Sequence, residues 1–302
     1  MQNSRNKRVL VIGADSTLAQ DFLERNTCEA THITTTSRRT QSHAVSTETH
    51  HNNTNRHVYF DLTQPEIPNA LRAKEFDVAI VFAGMTNIAA CEQHQALASE
   101  INHYSVVRLM QSLQVRHWIL LSTNLVFSGT TPNIQCTAPY APFNHYGLTK
   151  ANMEQAALSL NKSLVIVRLT KVLMPRFTFL QNVITKLAAG QSCEVFNDMT
   201  MAPIWINEVS DVLYGLVHAR RNSQGIIQLS ANEDITYYHA ANYCAERLQL
   251  PTGLLAGVPK SVSSPGFNSL ANDNPDFELD YTAAPALMTL NKFIATINQV
   301  DK

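Results

Sequence analysis

The sequence has 302 residues, 45% of them hydrophobic and 16% charged, with a formal net charge of -1. This is the balance of a globular protein with enough apolar material for a core, and no basic surplus indicates nucleic-acid binding. No apolar run approaches the ~20 residues that span a bilayer, and the first apolar run is too short for a signal peptide. The five cysteines are scattered, which is typical of free thiols in a reducing compartment. We therefore expect a cytoplasmic protein that binds neither nucleic acid nor membrane.

Short apolar runs alternate with helical patterns through the first 170 residues. Six runs are predicted to be buried strands: Arg8–Ile12, His32–Ser37, His57–Asp61, Asp77–Phe82, His117–Ser122 and Leu164–Leu169. Long helical patterns cover residues 89–114 and 144–160. Such alternation predicts an α/β fold with a Rossmann-like, doubly wound parallel sheet. We assign residues 1–170 to a dinucleotide-binding domain.

The pattern changes after residue 170. Four further helices are predicted, at residues 177–189, 207–220, 236–248 and 285–297, together with two short strands at 193–196 and 225–230. We assign residues 171–302 mainly to a smaller substrate-binding lobe, with some elements returning to the first domain. The histidines between residues 43 and 57 have no cysteine or carboxylate pair at ligand spacing nearby, so we predict no metal site.

The turn after the first strand is the expected phosphate-binding turn of a dinucleotide fold. Only Gly13 remains of the usual three glycines, because Ser16 and Ala19 occupy the other two positions. Alanine satisfies the close helix packing at the third position, and Ser16 can act as a helix N-cap. We predict that Gly13, Ser16, Thr17 and Leu18 contact the cofactor phosphates.

Two arginines, Arg38 and Arg39, follow the second predicted strand. In a dinucleotide fold this strand end meets the adenosine ribose, where an acid binds the 2′-hydroxyl and arginine suits a 2′-phosphate. We therefore expect NADP(H) to be preferred, with NAD(H) as the other choice. The alternative is that these arginines belong to a solvated basic loop.

Two later strand ends supply further candidate cofactor contacts. Asp61 and Leu62 end the third strand, where the acid could accept a hydrogen bond from the adenine amino group. Ala83 and Gly84 form a small-residue turn after the fourth strand, which would let the backbone approach a cofactor.

Tyr146 lies four residues before Lys150. In a helix the two side chains share one face, one turn apart. An ammonium beside a phenol favours the phenolate and lowers the phenol pKa from about 10, so the phenol could exchange a proton during hydride transfer to a carbonyl. The same spacing occurs by chance in ordinary amphipathic helices.

Several motifs appear in an order and spacing that match a known family. They are the Gly13 turn, Asp61-Leu62-Thr63, Ala83-Gly84, Ser122-Thr123 followed by Val126-Phe127-x-Gly129, Tyr146-x-x-x-Lys150, and Arg168 near the end of the sixth strand. The chain resembles the extended short-chain dehydrogenases/reductases. Within them it is most similar to the dTDP-4-dehydrorhamnose reductases and related sugar-nucleotide reductases. The resemblance covers most of the chain and thins after Leu250.

The resemblance implies a reaction and the residues that perform it. Thr123 would bind the reacting oxygen, and Tyr146 would protonate the C4 oxygen as hydride arrives. Lys150 would bind the nicotinamide ribose and lower the tyrosine pKa. The implied activity is NADP-dependent reduction of a 4-keto nucleotide sugar, in polysaccharide biosynthesis. Family members are often dimers, so a homodimer is allowed.

The sugar-facing positions depart from the family pattern. Asn124, Leu125 and Ser128 replace the usual Asp, Tyr and Asp. We expect Thr86, Asn124, Leu125 and Trp205 to contact the substrate. Trp205 would stack on a base, or would belong to the core.

Other functions stay open on the sequence alone. Epimerases of the superfamily share the Thr, Tyr and Lys set, and another oxidoreductase of this type would share it too. The presence of Ser16 in place of the usual glycine favours a different function, that of a regulatory subunit that binds a nucleotide and has no catalytic activity. It is opposed by the intact Thr123, Tyr146 and Lys150.

Overall fold

A computed structural model describes residues 7–25, 31–39, 56–219, 224–260, 266–272 and 281–300. The strands are β1 Lys7–Ile12, β2 Thr31–Ser37, β3 Arg56–Tyr59, β4 Glu75–Val81, β5 Gln114–Thr123, β6 Leu164–Leu169, β7 Val172–Leu173, β8 Cys193–Phe196, β9 Thr200–Met201, β10 Ile204–Trp205, β11 Gly225–Leu229, β12 Ile235–Thr236 and β13 Leu255–Val258. The α-helices are α1 Thr17–Arg25, α2 Asn69–Arg72, α3 Ile88–Gln93, α4 Gln95–Ser99, α5 Ser105–Ser112, α6 His145–Ser159, α7 Thr178–Ala188, α8 Ile206–His218, α9 Tyr237–Arg247 and α10 Ala286–Val300.

Seven strands form one central sheet in the order β3-β2-β1-β4-β5-β6-β11. All six pairings between neighbouring strands are parallel. Chain order runs outward in both directions from β1, so the sheet is doubly wound and has its topological switch point between β1 and β4. The predicted Rossmann-like α/β fold is confirmed.

Helices cover both faces of this sheet. Because the side chains of each strand alternate between the two faces, the hydrophobic core has two halves. Val9 and Val11 of β1 face α1 and α8. Leu10 and Ile12, one residue out of phase, face α2, α5 and α6. Because successive side chains of a strand point to opposite faces, a strand covered on both sides reads as a continuous apolar run. That is why the buried strands were visible in the sequence.

The predicted helix over residues 89–114 is wrong as one element. It divides into α3 and α4 at His94, whose φ of −126° and ψ of 57° are not helical, and then passes through a π-helical turn, Glu100–Tyr104, before α5. The last predicted helical residue, Gln114, begins β5. The other predicted helices end within three residues of their observed bounds.

The C-terminal part of the chain forms a second core. It packs α7, α9 and α10 against β8, β10 and β13, with Leu180, Trp205, Cys244 and Phe293 among its buried side chains. Two elements return to the central domain, because β11 pairs with β6 and α8 packs on the α1 face of the sheet. The division near residue 170 is kept as a proposal on this basis.

No helix in the described ranges is long and apolar enough to cross a membrane. Those ranges also contain no cluster of three or more His, Cys, Asp or Glu residues with the geometry of a metal site. His57 hydrogen-bonds to Thr35 instead, at 2.9 Å. The histidines between residues 43 and 51 lie outside the described residues.

Candidate active site

Gly13 brings the ends of β1 and β4 into close contact. Its φ is +88°, and a Cβ at this position would lie 2.5 Å from the backbone nitrogen of Ala83. Only glycine combines this backbone conformation with so close an approach. The turn is fixed further by the Gly13 N–H, which donates to the carbonyl of Thr36 at 3.0 Å. The predicted contacts Gly13 and Ala83 therefore lie side by side at the carboxyl edge of the sheet.

Ser16 begins α1 as an N-cap, the role predicted for it. Its Oγ accepts a hydrogen bond from the N–H of Ala19 at 3.1 Å. Thr17 and Leu18 form the first turn of this helix. Leu18 is partly buried, and it packs against both the core on the α1 face of the sheet and the C-terminal core. The nine-residue helix directs its positive dipole end toward the turn. A turn with no side chain at Gly13, followed by the capped N-terminus of a helix, fits the diphosphate of a dinucleotide.

Arg38 and Arg39 are exposed at the end of β2, beside this turn. The guanidinium of Arg39 is 3.8 Å from the carboxylate of Asp15, which lies within the turn itself. The two arginines therefore stand at the sheet position that meets the adenosine ribose in this type of fold.

Asp61 and Leu62 have protein partners. The Asp61 carboxylate accepts hydrogen bonds from the Thr63 N–H and hydroxyl, each at 2.9 Å. Leu62 packs its side chain into the core, and its carbonyl accepts from Arg108 at 3.2 Å. Both hydrogen bonds to Asp61 go to the same oxygen, Oδ1, so the carboxylate keeps acceptor capacity for a further donor.

The helix α6 presents Tyr146 and Lys150 on one face. Asn144 caps it, with Oδ1 accepting from the Gly147 N–H at 2.8 Å. Both side chains are more than nine-tenths buried. The Lys150 ammonium donates to the carbonyl of Leu121 at 2.9 Å. The lysine is thereby tied to β5 two residues before Thr123.

Gly147 lets the first turn of α6 approach the turn that follows β5. A Cβ at Gly147 would lie 2.0 Å from the carbonyl oxygen of Leu125, inside any allowed contact. This approach brings Tyr146 to Thr123, and the two side chains are hydrogen-bonded. Thr123, Tyr146 and Lys150, separated by up to 27 positions in the sequence, meet at the carboxyl end of β5.

The expectation that Lys150 lowers the pKa of Tyr146 is wrong for this structure. Burial raises the pKa of Tyr146 well above its usual value near 10, Cys91 raises it further, and only its hydrogen bond with Thr123 opposes these effects. Desolvation of a phenolate here outweighs the neighbouring ammonium. Burial also lowers the pKa of Lys150 to about 8, against the opposing charges of Glu154 and Cys91. At neutral pH the site therefore holds a protonated phenol beside a largely protonated lysine.

Asn102 belongs to the site, although the sequence did not reveal it. It is fully buried in the π-helical turn, a feature often found at functional sites. Its amide accepts from the Met85 N–H at 2.8 Å and donates to the Met85 carbonyl at 3.0 Å and to the Thr149 hydroxyl at 3.1 Å. Asn102 thus connects the turn after β4 to α6. A buried asparagine in an otherwise apolar helical pattern was the available signal.

Glu154 is a second residue that the sequence did not reveal. It lies one turn beyond Lys150, is fully buried, and pairs with Arg168 at 2.7 Å. It also accepts hydrogen bonds from the hydroxyls of Ser122 and Tyr140. A buried carboxylate needs a partner charge and further donors, and it has both here. The network fixes α6 to β5 and β6, and Arg168 has a structural role in it.

The predicted substrate contacts separate into two groups. Asn124 and Leu125 form a 3₁₀ turn next to Thr123, and Thr86 is exposed in the turn after β4. Trp205 is different, because it is 7% exposed and lies within the C-terminal core. Its indole N–H donates to Asn207 at 2.8 Å. This burial favours the second of the two expectations, a core tryptophan, over stacking on a base.

Comparisons with known proteins agree with this fold. The family described as RmlD substrate binding domain matches residues 7–291. The chain is 26% identical over 230 residues to a probable dTDP-4,6-dihydroxy-2-methyloxan-3-one 4-ketoreductase of Streptomyces antibioticus, covering 72% of this chain and 77% of that protein. It is 29% identical over 170 residues to a probable low-salt glycan biosynthesis reductase of Haloferax volcanii, covering 53% and 56%. It is also 24% identical over 185 residues to the methionine adenosyltransferase 2 subunit beta of Xenopus tropicalis, covering 59% and 52%.

Solved structures show the same fold. A dTDP-4-dehydrorhamnose reductase of Bacillus anthracis in complex with NADP has a TM-score of 0.78 at 17% identity, covering 96% of this chain and 99% of that one. The Bordetella bronchiseptica enzyme WbmG in complex with NAD has a TM-score of 0.81 at 15% identity, covering 99% and 96%.

The doubly wound sheet, the glycine turn and the Thr-Tyr-Lys site together define an extended short-chain dehydrogenase/reductase, a class of NAD(P)-dependent oxidoreductases. The family match covers nearly the whole chain. This protein belongs to the RmlD substrate binding domain family, the family of the dTDP-4-dehydrorhamnose reductases.

Proposed function

We propose that this protein is an NADP-dependent reductase of a 4-keto nucleotide sugar. The observation that carries the proposal is the meeting of Thr123, Tyr146 and Lys150 next to the Gly13 turn. The Lys150 ammonium lies 3.9 Å from the position of a Cβ at Gly84, and Gly84 follows the Ala83 that Gly13 contacts. Reduction of a ketone needs these groups, because charge develops on the carbonyl oxygen as hydride reaches the carbon.

Each side chain has a separate task in this proposal. The nicotinamide cofactor, when bound, supplies the hydride that reaches C4. Tyr146 donates its proton to the C4 oxygen, and the raised pKa of the buried phenol ensures that it carries that proton at neutral pH. With substrate bound, the Thr123 hydroxyl turns its proton from the Asn124 oxygen, its acceptor in this structure, to the same C4 oxygen. Lys150 places positive charge beside the phenolate that Tyr146 becomes.

Arg38 and Arg39 support the choice of NADP. Two exposed guanidinium groups at the end of β2 suit a 2′-phosphate, whereas NAD-binding folds place an acid near this point. Structural neighbours contain NADP in one case and NAD in another. Fluorescence titration with NADPH and with NADH tests the choice. Equal affinity for both, or a preference for NADH, would overturn it.

The 4-keto nucleotide sugar is proposed from the named activities of the relatives. One is a probable 4-ketoreductase of a dTDP-linked compound, and a structural neighbour is a dTDP-4-dehydrorhamnose reductase. The uncharged Asn124 and Leu125, which replace an acid and a tyrosine of the family pattern, would alter the contacts to the sugar. We therefore propose the substrate class and not one particular sugar.

The central experiment follows NADPH oxidation with a panel of 4-keto nucleotide sugars. Tyr146→Phe removes the proton donor and should abolish most turnover while the cofactor still binds. Tyr104→Phe is the matched control, because Tyr104 is 55% exposed outside the site. Turnover that survives Tyr146→Phe would remove Tyr146 as the acid.

A second candidate function is a regulatory subunit that binds a nucleotide without turnover. One relative is named as a subunit of methionine adenosyltransferase. The arrangement of Thr123, Tyr146 and Lys150 argues against it, since binding alone needs no proton donor. Cofactor binding without turnover on any substrate of the panel would favour this candidate.

A further inference from the structure

Residues 266–272 form a short segment beside the turn that follows β5. Its Phe267 N–H donates to the carbonyl of Gly129 at 3.0 Å, and its Leu270 makes a parallel bridge with Ile134. We call it the covering segment. Its Asn268 contacts Asn124 in that turn.

Hydrogen bonds to Asp234 hold the covering segment in place. This carboxylate accepts from the Asn268 N–H at 2.7 Å and from the Ser269 hydroxyl at 2.6 Å. The Leu270 N–H donates to the hydroxyl of Ser230 at 3.0 Å. Asn268 therefore has a fixed backbone, and only its side chain faces the site.

The side-chain amide of Asn268 can have only one orientation. One of its two terminal atoms is 2.8 Å from the backbone carbonyl oxygen of Thr200. A carbonyl oxygen can only accept, so that atom is the nitrogen. The other atom is then the oxygen, and it lies 2.8 Å from the amide of Asn124.

This orientation determines that of Asn124 in turn. Since Asn268 offers an oxygen, Asn124 must offer its NH₂ group to it. The oxygen of Asn124 then faces Thr123, with 3.3 Å between Oδ1 and Oγ1. The direction of the amide beside the reacting hydroxyl is thus set by a carbonyl that is 76 residues further along the chain.

The direction matters because a threonine hydroxyl has one proton and two lone pairs. One lone pair of Thr123 accepts from the Leu125 N–H at 3.2 Å. The single hydroxyl proton of Thr123 goes to the Asn124 oxygen, so the second lone pair stays open to accept from the Tyr146 hydroxyl. A reversed Asn124 would direct an N–H donor at Thr123 and compete for that lone pair.

We propose that Asn268 is a positioning residue of the reducing site, which acts through Asn124 to keep the Thr123 hydroxyl available to Tyr146. The inference rests on the proposed function, because it takes Thr123 and Tyr146 as the reacting pair. Asn268 itself need not touch the substrate.

A double-mutant cycle on kcat tests the proposal, with NADPH and dTDP-4-dehydrorhamnose as the probe. Asn268→Ala should lower kcat by about tenfold, the effect of about 1.4 kcal/mol on a barrier, because Asn124 is then free to reverse. The same substitution made in the Asn124→Ala variant should lower kcat no further, because no amide is left to reverse and Asn268 acts only through Asn124. Asn272→Ala, an exposed asparagine of the same segment, is the matched control and should keep wild-type kcat. Additive losses, or a change in KM alone, would overturn the proposal.

A measurement without turnover separates this proposal from the proposed function. In protein labelled with ¹⁵N at asparagine, the side-chain signal of Asn124 is identified by its loss in Asn124→Ala. That signal should shift in Asn268→Ala and stay in place in Asn272→Ala. An unmoved signal refutes the positioning role, whether or not the wild-type protein turns over the sugar. A shifted signal without turnover of any 4-keto nucleotide sugar in the panel would support the contact and refute the reductase.

Discussion

Gly147→Ala is the substitution that most directly tests how the site is assembled. It adds a single methyl group at the first turn of α6, between the residues that carry the acid and the lysine. The backbone φ at Gly147 needs no glycine, so alanine would ordinarily favour a helix here. Any loss must therefore come from the contact with Leu125.

The size of the disturbance follows from the structure. The new Cβ would lie 2.0 Å from the Leu125 carbonyl oxygen, whereas ordinary contacts begin at 3.4 Å. Either α6 or the turn after β5 must move by about 1.4 Å, and each carries one member of the hydroxyl pair. A displacement of about 1 Å costs roughly 100-fold in rate, and overpacking costs roughly 1–3 kcal/mol of stability.

The assay compares kcat for NADPH oxidation with the free energy of unfolding in urea. Gly215→Ala is the matched control, because Gly215 lies within α8 with nothing within 4 Å of an added Cβ. It should gain about 0.5–1 kcal/mol from helix propensity and keep its rate.

Two results would refute the reasoning. If Gly147→Ala retained kcat within about twofold, the close approach of α6 would not be what aligns Tyr146 with Thr123. If Gly215→Ala lost as much activity as Gly147→Ala, the effect would not arise from the contact with Leu125.

Three further predictions concern the cofactor turn and two buried bases. Gly13→Ala should abolish NADPH binding in a fluorescence titration, because its Cβ would meet Ala83 at 2.5 Å; Gly190→Ala, at a similar positive φ but in open space, should bind normally. The rate should fall as pH rises through about 8, where Lys150 loses its proton, and Lys150→Arg should lack this decline because a guanidinium stays charged. His117 is fully buried and burial lowers its pKa to about 4 from 6.5. The unfolded chain therefore takes up that proton first as pH falls, and stability should drop by about 3 kcal/mol between pH 6.5 and 4. Urea denaturation of His117→Asn should lack this drop, and an unchanged pH dependence would contradict it.

Local patterns in the sequence were sufficient for the central sheet. A strand buried on both faces is apolar at most of its positions, so β1, β4, β5 and β6 contain nearly continuous apolar runs whatever surrounds them. The spacing of Tyr146 and Lys150 likewise needs only the period of a helix. Thr123 was located by its place after a strand and before a motif of the family.

The sequence could not show what depends on contacts between distant segments. The predicted helix over residues 89–114 had no proline or glycine to mark its break at His94. Trp205 was assigned to the substrate because its burial by α10 cannot be deduced from its neighbours in the chain. The pKa of Tyr146 was expected to fall, because spacing shows the nearby lysine but not the loss of water around the phenol.

The sequence by itself determined the type of fold and the residues proposed as the reacting groups, because both follow from short-range periodicity and residue chemistry. Tertiary structure decided how those groups are held. Gly147 packs against the carbonyl oxygen of Leu125, and Glu154 is paired with Arg168. Asn268 is hydrogen-bonded to Asn124, from which it is separated by 144 positions in the chain. Each of these contacts joins segments whose proximity is created by packing, and packing is a property of the whole folded chain.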